Sequence, residues 1–299
     1  MMGARAVTLM LSVVASATAC SERSEARAAQ TKELLAKREA QLEQRLVTAG
    51  ARTDTPVAMW MMPPELREIS GLALTSDGRL LAHDDEIGRV YVLDARRGVI
   101  LKRFTLSGAP HADFEGITVA GSSIYLIASN GTLYEFREGA DGASVPYRMH
   151  DTHLGHECDF EGITYQADSA WLVLPCKVVA TKRLQNQVVI YRWKISEAAL
   201  PRLSMMTIPL ATVVGDNGWK TFHPSDITID PATGNYVIVT SHERALAEIT
   251  PQGQVIRSGP LPKGHHQPEG VAVTRDGILI VSDEATKKPA AITLYRWRP

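Results

Sequence analysis

One short phrase recurs down this chain in phase. Copies read REISGLALTSDGRLLAHDDEIGRVYVLD from Arg67, ADFEGITVAGSSIYLIASNGTLYEF from Ala112 and CDFEGITYQADSAWLVLPCK from Cys158. Two more, HPSDITIDPATGNYVIVTSHERALAEIT and QPEGVAVTRDGILIVSDE, begin at His223 and Gln267. Aligned on Ser70, Glu115, Glu161, Asp226 and Glu269, the copies are spaced by 45, 46, 65 and 43 residues. Each copy alternates apolar and polar residues, turns at a Gly or Asp step, and alternates again, as paired strands do. A period in the forties made of short strands is that of propeller blades. The segment PVAMWMMP (Pro56 to Pro63) is strand-like but has no blade of its own, and the fifth copy ends one strand short of four. An N-terminal strand closing the last blade satisfies both and removes an exposed edge. The expected fold is all-β, a five-bladed β-propeller over residues 56–299. Six blades is the alternative, with a hidden blade inside residues 177–222; otherwise the long interval holds loop insertions.

The 44% apolar and 22% charged residues suit a sizeable core. A formal net charge of −1 and the lack of any basic block argue against a nucleic-acid partner. Residues 1–19 read as a leader: Arg5, then an apolar run too short to span a bilayer, ending in Ala17-Thr18-Ala19-Cys20. That ending resembles a bacterial lipoprotein lipobox, which implies cleavage before Cys20 and acylation there. The resemblance implies three acyl chains, more than the two signals that stable anchoring to a bilayer needs. By the same resemblance, Ser21 after the cysteine implies placement at the outer membrane, facing the periplasm. Residues 20–55 are rich in helix formers, with Leu35, Leu42 and Leu46 among mixed charges, and read as a helical stalk.

In a propeller the innermost strand of each blade lines the central channel, and its neighbour returns antiparallel. The starts of the first strands (Ser70, Glu115, Glu161, Asp226, Glu269) and the ends of the second (Asp84, Asn130, Cys176, Ser241, Asp283) are therefore expected at one mouth. Converging carboxylates repel unless protons or a cation neutralise them. The oxygen donors Glu115, Glu161, Asp226, Glu269, Asp84 and Asp283 suit Ca²⁺; nearby histidines bring in Zn²⁺ or Mn²⁺. The reading without a metal stands beside these: such carboxylates also accept backbone N–H groups of neighbouring blades. Cys158 and Cys176 flank one hairpin and are expected to face each other as a structural disulfide in an exported chain.

The segments ISGLALTSDGRLLAHDDEIGRVYVLD (Ile69 to Asp94), the two DFEGIT phrases (Asp113 to Thr118, Asp159 to Thr164) and PEGVAVTRDGILIVSDE (Pro268 to Glu284) resemble the SdiA-regulated family of bacterial propellers over roughly residues 60–297. The resemblance implies five blades, a membrane-anchored or exported protein and a calcium site. It implies no established activity. The first copy (ISGL) and the fourth (PSDIT) depart from its Glu-Gly element. The leading functional expectation is a calcium-binding interaction module in the cell envelope. Its partners would be the bilayer, through the lipid anchor, and an envelope protein or small ligand at the channel mouth. The competing expectation is a calcium-dependent lactonase or phytase-like phosphoesterase, with His111, His156 or His266 activating water.

Overall fold

The computed structural model describes residues 5–49, 54–194 and 202–297, with side chains from residue 25 onward except that of residue 202. The chain divides into two compact units, Met1–Thr48 and Ala49–Pro299. In the first, a single helix α1 (Arg5–Ala49) runs through a stretch free of glycine and proline. This helix covers both the segment read as a leader and most of the segment read as a stalk. Residues 1–4 of the leader and 50–53 of the linker lie outside the described residues, as does the side chain of Cys20. No described helix is long and apolar enough to cross a membrane.

The second unit is a five-bladed propeller. β1 (Pro56–Met61) precedes the first blade, built from β2 (Ile69–Leu74), β3 (Leu80–Asp84), β4 (Arg89–Asp94) and β5 (Val99–Leu106). The second blade is β6 (Phe114–Ala120), β7 (Ser123–Ala128) and β8 (Thr132–Phe136), then β10 (Tyr147–Asp151). Between them β9 (Ser144–Val145) adds to the first blade, parallel to β5. The third blade holds β11 (Cys158–Phe160), β12 (Thr164–Gln166), β13 (Trp171–Val179), β14 (Gln187–Lys194) and β15 (Arg202–Pro209). The helical turn α2 (Leu210–Val214) leads to the fourth blade, β16 (Pro224–Ile229), β17 (Tyr236–Thr240), β18 (Ala245–Ile249) and β19 (Val255–Pro260). The fifth is β20 (Pro268–Val273), β21 (Ile278–Asp283) and β22 (Ala291–Arg296), completed by β1 in the order β1-β22-β21-β20. The long interval is accounted for by β14, β15 and α2, which leaves no sixth blade among the described residues.

The second strand of each blade is buried on both faces, which explains its nearly unbroken apolar run. Along β7, Ile124 and Leu126 pack toward the first blade with Val90, Val92 and Phe104. Their alternates Tyr125 and Ile127 pack toward the third, with Phe160 and Leu172. Strand alternation therefore divides one strand between two neighbouring cores. The Cys158–Cys176 disulfide spans 5.6 Å between Cα atoms in the third blade. The two cysteines do not face each other directly: Cys158 pairs with Val179 and Cys176 with Phe160, because the hairpin register, Thr164 opposite Val173, centres its turn beyond Ala167.

The innermost strands meet so closely at the axis that side chains do not fit. A Cβ added to Gly71 would lie 2.8 Å from the Gly116 Cα, one on Gly116 2.6 Å from the Gly162 Cα, and one on Gly162 2.7 Å from the Asp226 Cα. On Gly270 it would lie 2.7 Å from the Ser70 carbonyl oxygen. Such distances exclude any larger residue without backbone movement. The repeated phrase is thus centred on its glycine. Gly116→Ala is expected to destabilise the propeller by about 1–3 kcal/mol in urea denaturation; wild-type stability would refute the close approach.

Candidate functional site

The glycine-centred frame moves one expected residue. β6, β16 and β20 bulge at Phe114/Gly116, Pro224/Asp226 and Pro268/Gly270. Asp226 is therefore the counterpart of Gly116 and Gly270, and Ser225 of Glu115 and Glu269, one residue away from the alignment on acidic side chains. The fully buried Asp226 uses the space that the glycines leave. Its Oδ2 accepts the N–H of Leu72 at 3.1 Å and of Val271 at 2.8 Å, and its Oδ1 that of Ile227 at 2.8 Å. One carboxyl group thereby ties the fourth blade to the first and fifth across the axis. Burial pushes it well above the ordinary aspartate range against the pull of these three donors.

Strand alternation sends the residue before each glycine to one mouth, where Glu115, Glu161 and Glu269 come together. Burial and the neighbouring Glu161 and Asp113 carboxylates push Glu115 up to about 10. Burial also raises Glu161, to about 7, while Lys177 and a hydrogen bond from Glu115 pull it down. The Lys177 ammonium sits directly on the Glu161 carboxylate. Burial would lower that lysine, yet Glu161, Glu115 and Glu269 outweigh it and hold its pKa above the ordinary value. Glu269 is raised by burial, opposed by hydrogen bonds to Ser241, Ser225 and Gln267 and by the charge of Lys177. The chain thus supplies its own cation to these three acids, from the residue after Cys176.

The two acids at the second-strand ends do different work. Asp84 Oδ1 accepts the N–H groups of Glu86 and Ile87, both at 3.1 Å, and closes a turn. Asp283 Oδ1 accepts those of His266 at 2.7 Å and Gln267 at 3.2 Å. Its Oδ2 lies 2.6 Å from His265 Nδ1, whose Nε2 reaches the Tyr295 hydroxyl at 2.8 Å. Asn130 Oδ1 likewise accepts the N–H of Thr132. His83 is fully buried and its pKa is lowered by burial to about 4. It is therefore neutral: Nε2 accepts the Gly71 N–H, and Nδ1 donates to the Asp84 carbonyl.

The next residue along at each strand end carries the unspent acid. Asp85 and Glu284, with Glu68, form a trio whose donor oxygens lie within 4.8 Å of one another. Burial, then Glu68, Asp84 and Glu86, raise Asp85 to about 6, and its Oδ1 is buried without a hydrogen-bond partner. Burial and then Glu68 raise Glu284 to about 8, and Gln267 donates its amide to Glu284. The signal for this trio is the doubled acid in HDDE and VSDE, where the second member faces the mouth. Among the described residues one other compact donor trio occurs, His223, His242 and Glu243. None of the six expected metal ligands belongs to either trio.

The three candidate general bases do not join these acids. His111 is exposed, and its backbone bridges Ile87. His156 is 77% exposed, 3.7 Å from its chain neighbour Glu157. The His266 imidazole leaves Nε2 buried and unpartnered. The opposite end of the channel, lined by the residues that follow the glycines, is a cavity of about 770 Å³ walled by Leu72, Ile117, Ile163, Thr164 and Val273.

Fold and mouth together define a five-bladed propeller with an acidic rim at one channel end. The sequence model of the SdiA-regulated family matches residues 217–296, which carry the fourth and fifth blades, in agreement with the resemblance read from the repeated phrases. No curated protein matches the chain in sequence. Among solved structures, glutaminyl cyclase of Myxococcus xanthus is similar at 12% identity and a TM-score of 0.52, over 80% of this chain and 94% of that one. The PQQ-bound aldose sugar dehydrogenase of Streptomyces coelicolor is similar at 12% identity and a TM-score of 0.49, over 80% and 98%. Virginiamycin B lyase of Staphylococcus aureus is similar at 20% identity and a TM-score of 0.41, over 78% and 71%. At these identities the likeness concerns the fold alone.

The raised carboxyls give the pH dependence a definite sign. Their stabilising contribution is complete below the ordinary glutamate range, near 4.5, and is lost as pH rises through about 7 for Glu161 and about 8 for Glu284. Thermal stability in chelator is expected to fall from pH 5 to pH 9. Glu284→Gln should recover roughly 1–2 kcal/mol at the alkaline end, a fraction of what a dry site would show because solvent screens this half-open group. A wild-type protein that gains stability over that range would contradict the assignment.

Proposed function

We propose that this protein is a lipid-anchored binding module of the bacterial cell envelope, facing the periplasm from the outer membrane, whose channel mouth takes up calcium through Glu68, Asp85 and Glu284. The observation that carries the reading is the Asp85 Oδ1 atom, buried beside two further carboxyls without a partner. A polar atom in that position costs free energy unless something binds it. An oxygen-only donor set suits a hard cation that accepts carboxylates in flexible geometry. Glu115, Glu161 and Glu269 already have Lys177, while Asp226, Asp84 and Asp283 are committed to backbone N–H groups. The calcium site therefore moves to the neighbouring trio. An ion there would neutralise the mouth and hold the loops after Cys176 and Asp283 ready for an envelope protein or a small ligand.

Binding is preferred to lactone or phosphoester hydrolysis because no imidazole of His111, His156 or His266 is joined to a mouth carboxylate by a described hydrogen bond or ion pair. A general base must reach the proton it removes.

With the full chain in detergent, Ca²⁺ at 100-fold over its dissociation constant should raise unfolding stability at pH 8 by about 2.7 kcal/mol. Asp85→Asn and Glu284→Gln should each abolish that gain. No gain in the wild type, or a gain that survives both substitutions, sinks the calcium assignment. For the anchor, Cys20→Ser is expected to move the protein from the membrane to the soluble fraction of cells; a variant that still sediments with membranes would refute lipidation at Cys20.

A further inference from the structure

The second donor trio lies on the fourth blade, where the mouth glutamate is replaced by Ser225. His223 stands two residues before Ser225 on the loop leading into β16. His242 and Glu243 follow Ser241 in the turn between β17 and β18. Ser241 donates its N–H to Ser225 Oγ, and both serines hydrogen-bond to Glu269, so the trio borders the acidic mouth.

The Glu243 side chain is only 3% exposed, whereas His223 is 31% and His242 77% exposed. Its Oε2 accepts the backbone N–H of His223 at 3.1 Å. Around Oε1 stand three donor atoms at once: the Thr221 hydroxyl at 2.7 Å, His223 Nδ1 at 2.8 Å and His242 Nδ1 at 3.2 Å. A carboxylate oxygen has two lone-pair directions, so three donors over-subscribe it. The two imidazole rings stand edge to face, their centroids 5.5 Å apart. A tetrahedral zinc centre with bonds of about 2.0–2.1 Å spaces its ligand atoms roughly 3.3 Å apart, close to the 2.8 and 3.2 Å that separate the two imidazole nitrogens from Glu243 Oε1. Burial would raise the Glu243 carboxyl, but the bonds from Thr221 and His223 hold it down at about 2, so the acid is ionised and fixed before any ion arrives.

We propose that His223, His242 and Glu243 bind a divalent transition-metal ion of the zinc class. The ion replaces the imidazole protons that crowd Glu243 Oε1. Thr221 and the His223 backbone orient the carboxylate from behind, as outer partners do in metal sites. Two nitrogen ligands and one oxygen select zinc-class ions over calcium. Three protein ligands beside exposed imidazoles leave a coordination position for water or for an oxygen donor of a bound ligand.

The test titrates the untagged, chelator-treated full chain in detergent with Co²⁺, followed by visible absorbance, and then displaces it with Zn²⁺. One equivalent of Co²⁺ in a low-symmetry environment, released by Zn²⁺, is expected. His242→Ala removes an exposed side chain that the fold does not need and should weaken affinity by about 10- to 100-fold or more. Glu243→Gln should do the same, with circular dichroism verifying that each variant is folded. Glu284→Gln should leave Co²⁺ affinity unchanged. The proposal is overturned if the wild type takes up no Co²⁺, if either trio variant binds as tightly as the wild type, or if Glu284→Gln weakens Co²⁺ as much as they do.

Discussion

The close approach of the five innermost strands is the constraint on which the rest of this propeller depends. Four glycines let backbone meet backbone around the axis, at separations that a single methyl group would violate. The fifth place is taken by Asp226, whose carboxyl fills the remaining space and satisfies three N–H groups from three blades. A buried carboxyl is costly unless it is hydrogen-bonded, and here the bonds link distant parts of the chain. Because successive side chains on a strand point to opposite sides, fixing the glycine fixes the residue before it toward the mouth.

The mouth then has an electrostatic problem that differs around its circumference. Between the second and third blades the Lys177 ammonium faces Glu161, and Glu115 keeps its proton. Between the first and fifth blades the acids have less help. Glu68 has the mostly exposed Arg67 at 3.1 Å, Glu284 a neutral amide, and one oxygen of Asp85 has nothing. On the fourth blade histidines replace acids, and their carboxylate is strongly ionised rather than protonated. One ring of repeated positions thus presents three chemistries: a self-neutralised cluster, a hard-oxygen cluster and a mixed nitrogen–oxygen cluster.

Much of the architecture was legible because it is periodic. The phase of the phrase carried the blade count, and the unpaired strand at Pro56–Met61 with the short last copy carried the closure. The meeting of Glu115, Glu161 and Glu269 at one mouth was legible from the phrase itself. Asp226, Asp84 and Asp283 instead accept backbone N–H groups, and each adjoins a residue at the mouth, Ser225, Asp85 or Glu284. That one-residue offset has a physical origin: one step along a strand reverses the side chain, and a bulge absorbs one step without changing the pattern. The two disulfide cysteines stand diagonally for a related reason, the hairpin turn lying beyond the position read from the sequence. Lys177 carried no signal at all, since its role depends on three acids from three other segments. Glu243 was hidden similarly, because its histidine partner His223 is twenty residues away.

The axis also separates what the two channel ends can do. All innermost strands run the same way, so residues before the glycines face the acidic mouth and residues after them line the apolar and threonine-rich cavity. Asp226 and its three donors stand between the two. An ion at the mouth therefore acts on the strand-connecting loops of its own end. The second strands of the blades, buried on both faces, tolerate little change. Chemical diversity is confined to the rim, and it is there, at the residues adjoining the glycine phrase, that this chain departs from its own repeat.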